Sequence, residues 1–204
     1  MKVLVVYYSL YGHVLQLAQS VADGVKSVAG VEAVLRRVQE FEDIERDLAK
    51  HEHALAVWNR QQEIPVCTLD DLKEADGIIF GSPTRYGNMT AQMKRLFDGT
   101  AKLWLEGAFE GKPAGVFTST ATTHGGQETT CLTMMVPLLH LGCIIVGVPY
   151  STPGMLHTAG RGGSPYGAST VAGPGNDLPP APEDLAIARA LGRRVAEVTR
   201  KLRG

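Results

Sequence analysis

The chain has 204 residues, with 20 Lys and Arg against 21 Asp and Glu, a formal net charge of −1 and a pI near 6.6. That balance speaks against a nucleic-acid binder, which carries a basic excess, and against a docking electron carrier steered by a strong charge field. Hydrophobic residues at 44% and charged residues at 20% suit one globular domain over residues 1–204, able to bury its core without staples.

Lys2–Tyr8 (KVLVVYY) is a β-branched, apolar run that predicts a strand buried on both faces. Ser9–His13 breaks it with turn chemistry. From Val14 the apolar period becomes helical, through Leu15, Leu17, Ala18, Val21, Ala22 and Val25, and it stops by Gly30. Glu32–Val38 reads as a second strand near an edge, because it carries Arg36 and Arg37. Glu40–Gln62, rich in Glu, Arg and His, reads as loop with a helical turn or two. Thr68 with Asp71 predicts a capping box opening a short helix through Glu74.

Gly77–Phe80 is a third strand, followed by the loop Gly81–Met89 and a helix over Ala91–Phe97. Ala114–Thr118 is a fourth strand, ending in the loop Ser119–Gly126. A helix then runs from Gln127 to His140, with Pro137 as a possible kink. Cys143–Val148 is a fifth strand. Pro149–Pro182, crowded with Gly and Pro, reads as a lid or assembly arm. Leu185, Ala188, Leu191, Val195, Val198 and Leu202 space out a final amphipathic helix.

Strands alternating with helices predict an α/β fold of three layers, α/β/α, around a five-stranded parallel sheet. A dinucleotide Rossmann fold needs G-x-G-x-x-G after its first strand, and here that loop holds one glycine, Gly12. The flavodoxin-like, doubly wound order fits better, with its ligand at the carboxyl ends of the strands. There the loops Ser9–Val14, Ser82–Asn88 and Ser119–Gly126 converge. Ser9–Val14 opens into a helix whose N-terminus suits an anion, although alone it is equally well an ordinary capped turn. Three loops rich in hydroxyl and glycine together suit a phosphate and a flat, polar-edged ring.

Cys67, Cys131 and Cys143 form no CxxC pair, so neither a disulfide framework nor a zinc site is implied. They read as buried side chains in a reducing, cytoplasmic protein. The apolar start MKVLVVYY is too short for a signal sequence, and no run reaches membrane-spanning length. His51, His53, His124 and His157 have no metal-ligand spacing.

The segments Tyr8–His13, Gly81–Met89, Gly125–Glu128 and Arg161–Ala168 resemble, in the same order, the WrbA family of FMN-dependent NAD(P)H:quinone oxidoreductases. The likeness runs over nearly the whole chain. It implies a flavodoxin-like homotetramer that reduces small quinones by two electrons, with NADH or NADPH as donor. It implies FMN phosphate contacts at Ser9, Leu10, Tyr11, Gly12, His13 and Val14, and ring contacts at Thr84, Arg85 and Tyr86. Further flavin contacts fall at Ser119, Thr120, Ala121, Thr122, Thr123, His124 and Gly125, and at His140. Tyr11 matches a nicotinamide-nucleotide position and Trp104 a substrate position, in its own or a neighbouring subunit's site.

Read without the resemblance, His140 is a structural histidine on an apolar helix face, Trp104 plain packing, and Arg85 a surface cation. Two departures stand out. The loop after the fourth strand carries Thr123 and His124 where the family is richer in glycine, and Glu40–Gln62 shows no likeness. Besides the enzyme, two alternatives stay open: a flavodoxin-type one-electron carrier, or a redox-inactive regulatory FMN-binding protein.

Overall fold

The structure, a computed structural model, describes residues 1–203. Strand β1 (Lys2–Tyr7) lies between β2 (Glu32–Arg37) and β3 (Gly77–Pro83), parallel to both. Strand β4 (Pro113–Thr120) follows β3 in parallel register, Ile78 opposite Ala114 through Pro83 opposite Ser119. Side chains of β1 alternate between two cores, as the pleat requires. Val3, Val5 and Tyr7 face α1 (His13–Lys26) and α8 (Pro182–Arg203), whereas Leu4, Val6 and Tyr8 face the opposite layer. That layer holds α4 (Leu69–Glu74), α5 (Ala91–Asp98), α6 (Ala101–Leu105) and α7 (Gln127–His140). Each fully buried Val or Leu contributes about 1.5–3 kcal/mol, so both faces of the sheet are strongly sealed.

Helices α1 and α8 pack with backbone against backbone. A Cβ on Gly24 would stand 1.9 Å from the Arg189 carbonyl oxygen, and one on Gly192 2.0 Å from that of Val21. The expected capping box is present: Asp71 N–H donates to Thr68 Oγ1 at 3.1 Å and Thr68 N–H to Asp71 Oδ2 at 2.9 Å. Strand β2 is the sheet's edge and only partly buried. There Arg36 pairs with Asp71 and Arg37 lies over the Trp58 ring. Pro137 falls inside α7 without ending it.

Two stretches differ from the expectation. Glu40–Gln62 is mostly helical, as α2 (Glu42–Asp47), a 3-10 turn (Leu48–Lys50) and α3 (Glu52–Gln61). The buried face of α3 is only Ala54, Val57 and Gln61, too small and too polar to show as an apolar stripe. The fifth strand position is filled in two instalments. Strand β5 is only Ile144–Ile145, beside the start of β4, while β7 (Gly167–Val171) runs parallel to the end of β4, Phe117–Thr120. A two-residue β6 (Gly163–Ser164) pairs antiparallel with β7. The middle of the Pro149–Pro182 segment therefore completes the sheet.

Asp184, in the first turn of α8, fixes that inserted segment. It is buried, and its carboxylate accepts from Gly162 N–H (2.6 Å), the Thr170 hydroxyl (2.6 Å) and Ala181 N–H (3.0 Å). One side chain thus ties the excursion, β7 and the start of α8 together. Its charge also stands at the positive end of the helix dipole.

Candidate functional site

A cavity opens at the carboxyl ends of the strands. It is lined by Ser9, Leu10, Tyr11, His13 and Val14 after β1, by Pro83, Thr84 and Arg85 after β3, and by Ser119, Thr120 and Ala121 after β4. The three loops do converge. A fourth, unforeseen segment after β7 adds Ala172 and Asn176. Asn176 has φ +55, a left-handed conformation that asparagine tolerates better than most residues. Its only trace in the sequence is the turn-forming Pro174-Gly175-Asn176-Asp177.

The start of α1 is built for an anion. Its N-cap is Gly12 at φ +93, no side chain among the described residues caps it, and its first turn holds no acidic residue. Gly12 N–H donates to Ser9 Oγ at 3.1 Å, which closes the loop on itself. The free N–H groups of a helix start and the dipole behind them favour negative charge. Among the described residues no carboxylate lines the cavity, and four of its lining residues bear hydroxyls on small side chains: Ser9, Thr84, Ser119 and Thr120. A phosphate at Ser9–Val14 and a flat, polar-edged ring beside Thr84 and Ser119 fit this donor set.

Two turns hold the remaining walls. Arg85 and Asn88 exchange both backbone hydrogen bonds, at 2.7 and 3.0 Å, around Tyr86 (φ 53) and Gly87 (φ 78). Positive φ at both central residues is the signature of a type I′ turn. Thr84 is fixed three ways: its N–H donates to the Ser119 carbonyl at 2.8 Å, its hydroxyl accepts from Gly87 N–H, and Thr130 on α7 donates to that hydroxyl. Beneath, Tyr8 OH donates to buried Glu40 at 2.5 Å and Gln92 Nε2 donates to the same carboxylate at 2.6 Å. Burial first, and that carboxylate second, push the Tyr8 phenol well above its usual range, so it stays a proton donor.

Several expected contacts fall outside this cavity. Tyr86 stands fully exposed at the tip of its turn. Thr122, Thr123, His124 and Gly125 follow Ala121 without lining it, because Thr120 Oγ1 and Gly125 N–H both turn back onto the Thr122 carbonyl. His140 and Trp104 lie together, in a cleft of about 530 Å³ between α5, α6 and α7 that also includes Asn88. Helix α7 starts after Gly126 and spans about 20 Å before reaching His140, so one chain does not bring His140 to its own Ser9–Val14 loop. The turn ending at Asn88 and helix α7, through Thr130 and Thr133, run between the two places. The three cysteines are buried and free, and burial pushes their thiols up, Cys67 and Cys131 to about 12 and Cys143 to about 11. They are poor nucleophiles there.

His13 is buried at the cavity wall, its Nε2–H donating to the Leu178 carbonyl at 3.0 Å. Burial holds the imidazole below its ordinary 6.5, outweighing that hydrogen bond. The unfolded chain therefore takes up a proton as pH falls through 6.5 and the folded chain only at lower pH, so this contribution to stability is complete above 6.5 and is lost as pH falls below it. The urea midpoint should drop between about pH 7.5 and about pH 5.5. His13→Asn should flatten that slope, and an unchanged slope would assign it to other groups.

Residues 1–154 match the model of the NADPH-dependent FMN reductase family. A protein of Syntrophobacter fumaroxidans named NAD(P)H dehydrogenase (quinone) is 51% identical over 203 residues, covering 99% of this chain and 98% of that protein. A Geobacter sulfurreducens protein of the same name is 51% identical over 205 residues, covering all of both. Among solved structures, a WrbA-like flavodoxin from Agrobacterium tumefaciens superposes with a TM-score of 0.66 at 24% identity, over 98% of each chain. Flavodoxin 1 from Bacillus cereus gives 0.61 at 15% identity, over 97% of this chain and 98% of that one, and supports the fold alone.

Proposed function

The chain belongs to the NADPH-dependent FMN reductase family, and from that premise we propose that it is an FMN-dependent NAD(P)H:quinone oxidoreductase. One observation carries the reading: a carboxylate-free, hydroxyl-lined cavity set against an uncapped helix start. Bound FMN supplies a ring that takes hydride from NAD(P)H and passes two electrons to a quinone.

The chain's own residues bind and orient. Ser9–Val14 would hold the phosphate, through the hydroxyl of Ser9 and the N–H groups about Gly12. Thr84 and Arg85 would border the ring on one side, and Ser119–Ala121 on the other. Tyr11, partly exposed at the rim, would offer a flat face to the nicotinamide nucleotide. Such positioning accounts for much of what a flavin protein contributes, since hydride transfer demands close, aligned partners.

The assembly belongs to the same proposal. Leu132, Val136 and Leu139 form one exposed apolar face of α7; exposed Trp104 and Leu105 end α6, and Trp104 shares a cleft with Val136. A homotetramer would cover that face and carry Trp104, His140 and Tyr86 toward a neighbouring subunit's flavin, where Trp104 would form a wall for quinone. Three free cysteines suit the cytoplasm as its location.

Incubation of the FMN-loaded protein with NADH or NADPH and benzoquinone should oxidise one reduced nucleotide for each quinone reduced to hydroquinone. Light scattering should give four times the chain mass. Flavin binding without turnover would favour a one-electron carrier, and a monomeric mass with FMN bound would remove the shared-site part of the proposal.

A further inference from the structure

Helix α3, which carries no apolar stripe in the sequence, touches the phosphate loop at three places. Gln61, buried, donates from Nε2 to the Ser9 carbonyl at 3.0 Å and to the Val57 carbonyl at 3.2 Å. His53 donates from Nε2 to the Tyr11 carbonyl at 3.2 Å, and its ring stacks on that of Tyr11 with centroids 6.3 Å apart. Val57, fully buried, covers Gly12, where a Cβ would meet its Cγ2 at 3.4 Å.

The two held carbonyls alternate along the loop, and each belongs to a planar trans peptide whose C=O and N–H point in opposite directions. With the Ser9 and Tyr11 oxygens held on α3, the Leu10 and Gly12 N–H groups are turned away from the helix. Gly12 N–H accordingly lies on Ser9 Oγ, and both Ser9 and Leu10 line the cavity. Ser9 Oγ, accepting from Gly12 N–H, is left to donate its own O–H beside the Leu10 N–H to an anion in the cavity.

We propose that α3 presets the phosphate loop, with Gln61 and His53 as positioning residues: Gln61 aims the Leu10 N–H at the flavin's phosphate, and His53, by fixing the Gly12 N–H on Ser9 Oγ, aims the Ser9 hydroxyl there. This rests on the reading of Ser9–Val14 as the FMN phosphate site. Neither side chain lines the cavity. Their effect is on affinity for the phosphate group and passes through the backbone. A loop that must order itself on binding loses affinity by the fraction of time it spends in another conformation.

The test compares a ligand with and without the phosphate. Full-length protein stripped of flavin is titrated with FMN and with riboflavin, following flavin fluorescence, for the wild type, Gln61→Leu and His53→Phe. The phenylalanine keeps a ring against Tyr11 and removes the N–H. Gln61→Leu should raise the FMN Kd by about tenfold, the size of one hydrogen bond to a buried carbonyl, His53→Phe, whose bond is exposed, by about threefold, and both should leave the riboflavin Kd unchanged. Variants with the wild-type preference for FMN over riboflavin would overturn the inference while leaving the phosphate site standing. Equal weakening of both ligands would also overturn it, by reducing α3 to general support. Should Gln61→Leu fail to fold, the exposed His53 decides, since nothing in the core depends on it. A wild type that binds riboflavin as tightly as FMN would overturn the phosphate-site reading itself.

Discussion

Gly12→Val is expected to weaken FMN binding by about 10- to 100-fold in a chain that still folds. Gly12 sits at φ +93, where a β-branched residue is a genuine outlier, at a cost of about 1–3 kcal/mol. Space is short as well, because the Cβ position already meets Val57 Cγ2 at 3.4 Å and the added methyl groups lie beyond it. The strain is relieved by letting the loop leave its anion-holding conformation. Each 1.4 kcal/mol of that shift costs about tenfold in apparent affinity. Titration of the flavin-free protein with FMN checks this, and a wild-type Kd would mean that the loop does not hold the cofactor.

The second large effect is on stability. Asp184→Ala should lower the unfolding free energy by about 3–5 kcal/mol, because it strands three donors in a buried place. Gly162 N–H, the Thr170 hydroxyl and Ala181 N–H lose their acceptor together. Asp184→Asn should fall between, since the amide keeps one oxygen and sets an N–H against a donor. The loss should also reach the cofactor. Strand β7 carries Thr170, and the chain leaving it supplies Ala172 and Asn176 to the cavity. Urea unfolding of both variants measures the first effect and FMN retention the second. A loss below about 1 kcal/mol would mean that these donors find other partners.

These two residues also mark what the sequence disclosed and what it hid. The loop between β1 and α1 was legible because a strand buried on both faces is a continuous apolar run, and the change to helical period at Val14 is abrupt. Convergence of the loops after β1, β3 and β4 comes from parallel topology, whatever their side chains. The Asp184 clamp was hidden, because it joins Gly162, Thr170 and Ala181, whose pairing exists only once β7 lies against β4. The fifth strand was half visible, since its second instalment lies more than twenty residues after the first. Helix α3 was invisible for a different reason: its most telling buried residue is a glutamine, and its contacts are to backbone.

His140 and Trp104 belong to one cleft, and the length of α7 separates that cleft from the Ser9–Val14 loop of the same chain.

The most direct measurement is the visible absorbance of the FMN-loaded protein under anaerobic conditions, first with NADH or NADPH added, then with benzoquinone. A quinone oxidoreductase should show a flavin band that bleaches on adding the nicotinamide nucleotide and returns in full with the quinone, one hydroquinone forming for each nucleotide oxidised. A band that stays unbleached at millimolar nucleotide would contradict that assignment.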